Sequence, residues 1–292
     1  MRFNYAESLT DPSYYPTLAR AAEEAGYDGF IVPDSIAYPQ VSDTKYPFNP
    51  DGSREFLEDK PFIDPFVLIA ALGAVTERLR FVTFVIKLPI RHPVLVAKQA
   101  SSVAAMTNNR FALGVGTSPW PEDYELVDVP WANRGKRMDE CIDVIRGLTS
   151  PGWFEYHGKV FDIPSIQMTP VPSAPIPVLI GGHGEPALKR AANIGDGWMH
   201  GGGDPADLPS LMARLNELRS EAGRSDEPFE VHVISVDAYS LDGLHRLEEQ
   251  GVTDVMVGFR WPYEVGPDTQ PLAQKLDALR GYADNVIAKY RP

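Results

Sequence analysis

Three glycines around one histidine, Gly181-Gly182-His183-Gly184, run directly into Glu185-Pro186, a pair suited to opening a helix. Small residues at such a junction let backbone N–H groups and the positive end of a helix face an anion, which fits a phosphate cradle. The same glycines also suit a tight turn that needs them for geometry alone. Asp34 follows the apolar run Phe30-Ile31-Val32 and Pro33; a carboxyl desolvated there would titrate upward and serve as acid or base. His200 precedes Gly201, Gly202 and Gly203, a setting that fits a ligand contact as well as a satisfied core histidine. Gly116, Thr117 and Ser118 close another apolar run, with Trp120 just beyond. Trp120 and Trp198 are either packing at a sheet edge or ligand contacts.

These groups share one property: each lies just past an apolar, β-branched run. Phe81 to Leu88 and Phe111 to Gly116 bracket a helical segment that starts at His92-Pro93, the length a right-handed parallel crossover needs. The pattern repeats. Strand candidates begin at Arg2, Asp28, Phe81, Phe111, Ile176, Gly195, Phe229 and Asp254, and helical stretches follow each. Predicted helices include 134–148, a stretch reaching Glu77, another near 241–250, and a closing one over 272–290. Eight alternations over 292 residues predict an α/β fold, a (β/α)8 TIM barrel in one domain, with a doubly wound open sheet as the alternative. Two insertions interrupt the repeat. Residues 35–61, after strand 2, contain four prolines together with Tyr38, Tyr46, Phe48 and Phe56, and read as a lid or substrate loop. Residues 151–175, before strand 5, read as a hairpin and an extended excursion. In a barrel of this kind the site lies at the carboxyl ends of the strands. The residues there are Glu7, Asp34, Lys87, Arg91, His92, Thr117, Ser118, Trp120, Gly181 to Gly184, Trp198, His200, Asp237, Arg260 and Trp261.

Composition narrows the function. A net charge of -13 argues against nucleic acid or an anionic membrane as partner. The longest apolar run, Val67 to Val75, is well short of the roughly 20 residues of a membrane span. With no signal-like start, a cytoplasmic location is expected. Cys141 is the single cysteine and sits among helical apolar residues, so packing is expected of it. The six histidines never fall in paired ligand spacing, and no metal is expected. The fourth strand ends without a carboxylate, unlike a glycosidase, and neither a G-x-S-x-G elbow nor a P-loop is present.

Leu88-Pro89 with Arg91-His92-Pro93 and Ala97-Lys98, the run Arg110 to Gly116, Arg134-Gly135 with Arg137 and Glu140, and the stretch Pro177 to Trp198 together resemble the luciferase-like monooxygenase family. The similarity covers nearly the whole chain and is nearest to the branch that uses the deazaflavin coenzyme F420; other relatives use FMN. The resemblance implies a barrel holding an isoalloxazine-type ring at the strand carboxyl ends, its phosphate tail at Gly181, Gly182 and Gly184. It implies a bulge with a non-proline cis peptide behind the ring at Phe84-Val85. Asp34 matches a position beside the reactive face, and Glu122 an acidic position after the fourth strand. With Asp34, Glu122 and His200 as catalytic candidates, the implied activity is hydride transfer between F420 and a small organic substrate. An FMN-dependent monooxygenase and a non-catalytic flavin or deazaflavin carrier are the alternatives. Arg91, Lys98, Arg134, Arg137 and His183 are the cations available to an anionic tail, and a homodimer is the family-level expectation.

Overall fold

Eight apolar runs become parallel strands: β1 Arg2–Ala6, β2 Gly29–Val32, β3 Arg80–Thr83, β4 Phe111–Gly116, β5 Val178–Gly181, β6 Gly197–His200, β7 Glu230–Val233 and β8 Asp254–Val257. This is a computed structural model, and it describes residues 1–46, 49, 51–260 and 264–291. Each strand pairs in parallel with its successor, and β1 also pairs with β8, Phe3 opposite Val255 and Tyr5 opposite Val257. That last pairing closes the sheet into a barrel and removes the open-sheet alternative. The helices between strands are α1 Tyr15–Glu24, α2 Pro65–Gly73, α3 Pro93–Met106, α4 Arg134–Leu148, α5 Glu185–Ile194, α6 Leu208–Glu221, α7 Leu241–Glu249 and α8 Leu272–Tyr282. A π turn at Ala283–Ile287 carries α8 on to Tyr290.

The period of two along each strand separates two apolar layers. Ile31, Val82, Ala112, Leu179, Met199 and Met256 fill the lumen. Phe3, Tyr5, Phe30, Phe81, Leu113, Val115, Ile180 and Trp198 face outward into the larger core under the helices. Helix starts follow the local sequence: Asp64 accepts from the N–H groups of Phe66 and Val67 ahead of Pro65, and Ser240 from Gly243. Helix α4 spans the predicted residues. Helix α2 stops short of Glu77, because the Glu23 carboxylate accepts the N–H groups of Glu77, Arg78 and Leu79 at 2.6–3.1 Å and draws the chain off the helix axis. Within the second insertion, Phe154–His157 and Asp162–Ile166 pair as a small antiparallel sheet.

The amino end of the barrel is closed by charge. Arg2, Arg80, Glu230 and Asp254 are the first residues of four strands. Arg80 grips Glu230 with two bonds of 2.8 Å, and Arg2 reaches Asp254 at 2.7 Å and Glu230 at 3.1 Å. His232 Nε2 lies 2.8 Å from Glu230, and Asn4 donates to Asp254 at 3.1 Å. The ligand atoms of Glu230, His232 and Asp254 fall within 4.8 Å of one another, close enough for a cation. Two guanidinium groups already supply the positive charge there, so the cluster is an ionic plug.

Candidate active site

At the opposite end the lumen finishes in small residues. The expected single strand from Phe81 to Leu88 is interrupted: β3 ends at Thr83, a non-proline cis bond joins Phe84 to Val85, and Ile86–Lys87 resumes pairing against Val115 and Gly116. The cis bond stands where the resemblance placed it. Phe84 and Val85 pack on top of the lumen layer. Val85 touches two neighbouring strands. A Cβ on Gly116 would lie 2.7 Å from Val85 Cγ2, and one on Gly181 would lie 2.9 Å from Val85 Cγ1, so glycine is what lets the Val85 side chain lie flat across the ends of β4 and β5.

Beyond Gly181 the chain turns through Gly182, whose φ of 125° is reserved for glycine, and enters α5 at Gly184. Gly184 caps α5 without a side chain; its carbonyl accepts the N–H groups of Ala187 and Leu188, and Pro186 has none, so the N–H groups of Gly184 and Glu185 are left without an acceptor among the described residues. Trp198 Nε1 donates to the Gly182 carbonyl at 2.8 Å and fixes the turn. His183 and His200 stack with ring centroids 4.3 Å apart and planes 9° from parallel. Gly201 N–H donates to His183 Nε2 at 3.1 Å. Burial, then the neighbouring His183 ring, pushes His200 down to about 4, and burial lowers His183 as well. Both rings are therefore neutral at pH 7. His200 shares the outward face of β6 with Trp198, toward the helices and away from the lumen.

The third group lies over β2, β3 and β4. Asp34, whose side chain is 1% exposed, accepts from Arg91 at 2.6 Å and from the Lys87 N–H at 2.9 Å. Both its oxygens are engaged, tying the end of β2 to the chain after β3, and a proton-transfer role would require opening that ion pair. Asp34→Asn should lower stability by about 1–3 kcal/mol, the cost of leaving a buried charged partner under-satisfied. Urea unfolding checks this, with no loss expected at a solvated turn residue. Thr117 and Ser118 follow β4. The Ser118 backbone takes a φ of 61°, which folds the loop back so that its hydroxyl reaches Asp123 at 2.6 Å. Asp123 in turn pairs with the buried Lys87 at 2.7 Å.

Glu122, in the short helix Pro121–Glu125, accepts from Ser42 and Thr44 and lies 3.6 Å from Arg54. Burial works against its charge, but the hydroxyls of Ser42 and Thr44 and its own N–H, with Arg54, hold the carboxyl below its ordinary range. Glu122 thus fastens the long segment after β2 to the loop after β4. Tyr46 stacks on Trp120 at 5.7 Å and meets Phe56 edge-on at 5.4 Å. Trp120 also borders a cavity of about 150 Å³ whose lining includes Tyr38, Arg54, Lys60, Lys87 and Glu122. Phe48 and Trp261 lie outside the described residues.

The candidate residues therefore fall into three neighbouring groups at one end of the barrel. Phe84, Val85, Gly116 and Gly181 form a floor. Gly182, His183, Gly184 and His200 form a turn beside it, and Asp34, Thr117, Ser118 and Glu122 stand just past the ends of β2 and β4, Glu122 bonded to the long segment. Arg54 and Asp123 were missed in the sequence. The available signal for Asp123 was Lys87, since a lysine ending a buried strand needs an anion close by. Arg54 had only its place in an aromatic-rich segment, which by itself does not separate a ligand contact from a solvated charge.

Residues 3–259 match the family model of luciferase-like monooxygenases. Uncharacterized protein Rv0940c of Mycobacterium tuberculosis is 63% identical over 289 residues, which is 99% of this chain and 100% of that protein. Among solved structures, monooxygenase RslO1 from Streptomyces bottropensis superposes with a TM-score of 0.78 at 15% identity, over 99% of this chain and 100% of its own. The coenzyme F420 dependent tetrahydromethanopterin reductase from Methanopyrus kandleri gives 0.75 at 16% identity over 99% of each chain. At such identities the two structures speak to the fold. The family match across nearly the whole length, joined to the same closed barrel, makes this chain a member of the luciferase-like monooxygenase family.

Proposed function

We propose that this protein is an F420-dependent oxidoreductase acting on a small organic substrate. The observation that carries the reading is the run from Val85, laid against Gly116 and Gly181, through the Gly182 to Gly184 turn to the amino end of α5. Its first part is flat because Cβ atoms are missing where Val85 lies. Its second part offers backbone N–H groups and a helix dipole to an anion. A tricyclic ring with a phosphate-bearing tail fits such a surface. When bound, F420 supplies two-electron transfer at C5 of its ring.

The chain's own residues bind, orient and exclude water. Val85 and the two glycines support the ring from below. Gly182 to Gly184 receive the phosphate, and neutral His183 contributes dipole rather than charge. Residues 35–61 act as a lid whose Tyr38, Tyr46 and Phe56 cover the substrate side, held down through Ser42, Thr44 and Glu122.

F420 is favoured over FMN by charge at the start of α4. Arg134 and Arg137 have no carboxylate within 4 Å among the described residues. Arg134 lies 3.7 Å over Trp131, and Arg137 donates to the Pro89 carbonyl at 2.7 Å. Two cations at the positive end of a helix are unfavourable alone and suit a tail with several anionic groups. Of the other cations expected to serve the tail, Arg91 is committed to Asp34, and Lys98 donates to the Thr169 carbonyl. F420 is therefore expected to bind more tightly than FMN, with a steeper loss on adding salt, as the Debye length falls from about 30 Å at 0.01 M to about 3 Å at 1 M. Calorimetric titrations at both salt levels test this. Tighter FMN binding at both, or equal slopes, would turn the reading to an FMN-dependent monooxygenase.

A further inference from the structure

The cavity lined by Tyr38, Lys60, Lys87, Trp120 and Glu122 contains a guanidinium that the protein itself does not saturate. Arg54 is 8% exposed, with its guanidinium carbon 4.1 Å from the Trp120 ring centroid and 5.4 Å from that of Tyr38. Its Nη1 donates to Ser42 Oγ, which also serves Glu122. Its Nε is enclosed and has no hydrogen-bond partner among the described residues. None is found for Nη2 there either. A buried donor left unpaired is costly, of order 1–3 kcal/mol, and native structures rarely keep one without a use.

The unpaired Nε–Nη2 edge is the side on which a guanidinium takes two oxygens of a carboxylate in parallel. Its competitor is weak in geometry: Glu122 stands 3.6 Å from Nη1, longer than a charge-assisted hydrogen bond. The other cations differ from Arg54. Lys87 is neutralised by Asp123 at 2.7 Å, while Lys60 Nζ donates to the Gly266 carbonyl and has no carboxylate within 4 Å among the described residues. Of the three acids in the lining, Asp59 is the exposed one. At about 150 Å³ the cavity is the size of an apolar cavity that takes up benzene.

From this we infer that Arg54 is the specificity-determining residue for a small carboxylate substrate, which it holds through Nε and Nη2 while Trp120 and Tyr38 cover the apolar body. This rests on the reading of the cavity as the substrate side of the cofactor platform.

The test uses benzoate and its neutral isostere benzamide as probes, titrated calorimetrically into the full chain and its variants. Wild type should bind benzoate at least tenfold more tightly than benzamide. Arg54→Gln should bring benzoate to the benzamide level, and Arg54→Lys, which keeps charge but loses the planar edge, should fall between. Glu122→Gln should tighten benzoate binding by removing the competing anion, whereas a role limited to fastening the segment would make both Glu122→Gln and Arg54→Gln weaken both probes. No preference for benzoate in wild type, or a preference that survives in a folded Arg54→Gln, overturns the inference. F420 titrations of the same proteins keep the two readings apart. Arg54-dependent benzoate binding without F420 binding would sink the cofactor assignment and leave the carboxylate site standing.

Discussion

Gly184→Asp should weaken F420 binding by about two to three orders of magnitude while leaving the protein as stable as before. At an effective dielectric of 20, two like charges 4 Å apart repel by about 4 kcal/mol, and roughly 1.4 kcal/mol is tenfold in affinity. The position can accept the change. Gly184 has φ -70° and ψ 151°, and a new Cβ would meet only Pro186 Cδ at 3.7 Å. Aspartate is also a good residue at a helix start, so α5 gains a side-chain cap it lacks, worth a few tenths of a kcal/mol. The neighbouring Gly182 offers no such clean experiment: its φ of 125° and an Ala187 Cβ at 2.9 Å would confound lost affinity with strain. Affinity within twofold of wild type in Gly184→Asp would remove the phosphate from this turn.

Glu230→Ala, at the far end of the barrel, should cost about 3–5 kcal/mol of stability, because it leaves Arg80 without an anion and takes one of two from Arg2 and His232, which keep Asp254, in a partly buried cluster. A midpoint lower by on the order of 10 °C is expected, with cofactor affinity unchanged. The same cluster sets an acid limit. Burial opposes the Glu230 charge, but hydrogen bonds with His232 and Arg80 and the charge of the Arg80 guanidinium outweigh it, holding the carboxyl well below the usual carboxylate range. The folded value is thus lower than the unfolded one, which is near 4.3. The contribution to stability is therefore complete above about pH 4.3 and declines as pH falls below it. Denaturant titrations from pH 7 to pH 3 should show this decline in wild type and a shallower one in Glu230→Ala. Equal pH slopes would show that the cluster does not couple protons to folding.

Periodicity and chain breaks made the barrel legible. Runs such as Phe111 to Gly116 are apolar at every position because both strand faces are buried, and Asp-Pro or His-Pro pairs mark where helices begin. The ends of the barrel were less legible. The bulge at Phe84-Val85 sits inside an unbroken apolar run, and residue types alone give no sign of it; the resemblance placed it. Asp34 reads as a desolvated carboxyl until Arg91, 57 residues further on, is brought to it. Lys87 with Asp123 and Arg54 with Glu122 are likewise made by loops folding back, where no period operates. The amino-end plug did leave a trace, in the charged residue opening each of the runs RFNYA, RFVT, EVHV and DVMV.

Trp120 belongs to the loop after β4, whereas the two groups stacked on it, Tyr46 and Arg54, come from the long segment after β2. When that segment lifts, the indole exchanges an aromatic face and a cation for water. Its emission then shifts to the red and becomes accessible to a soluble quencher. Trp198 lies in the core and Trp153 is already 74% exposed, so both serve as internal references. The protein thus carries its own optical gauge of segment opening, legible without an added label.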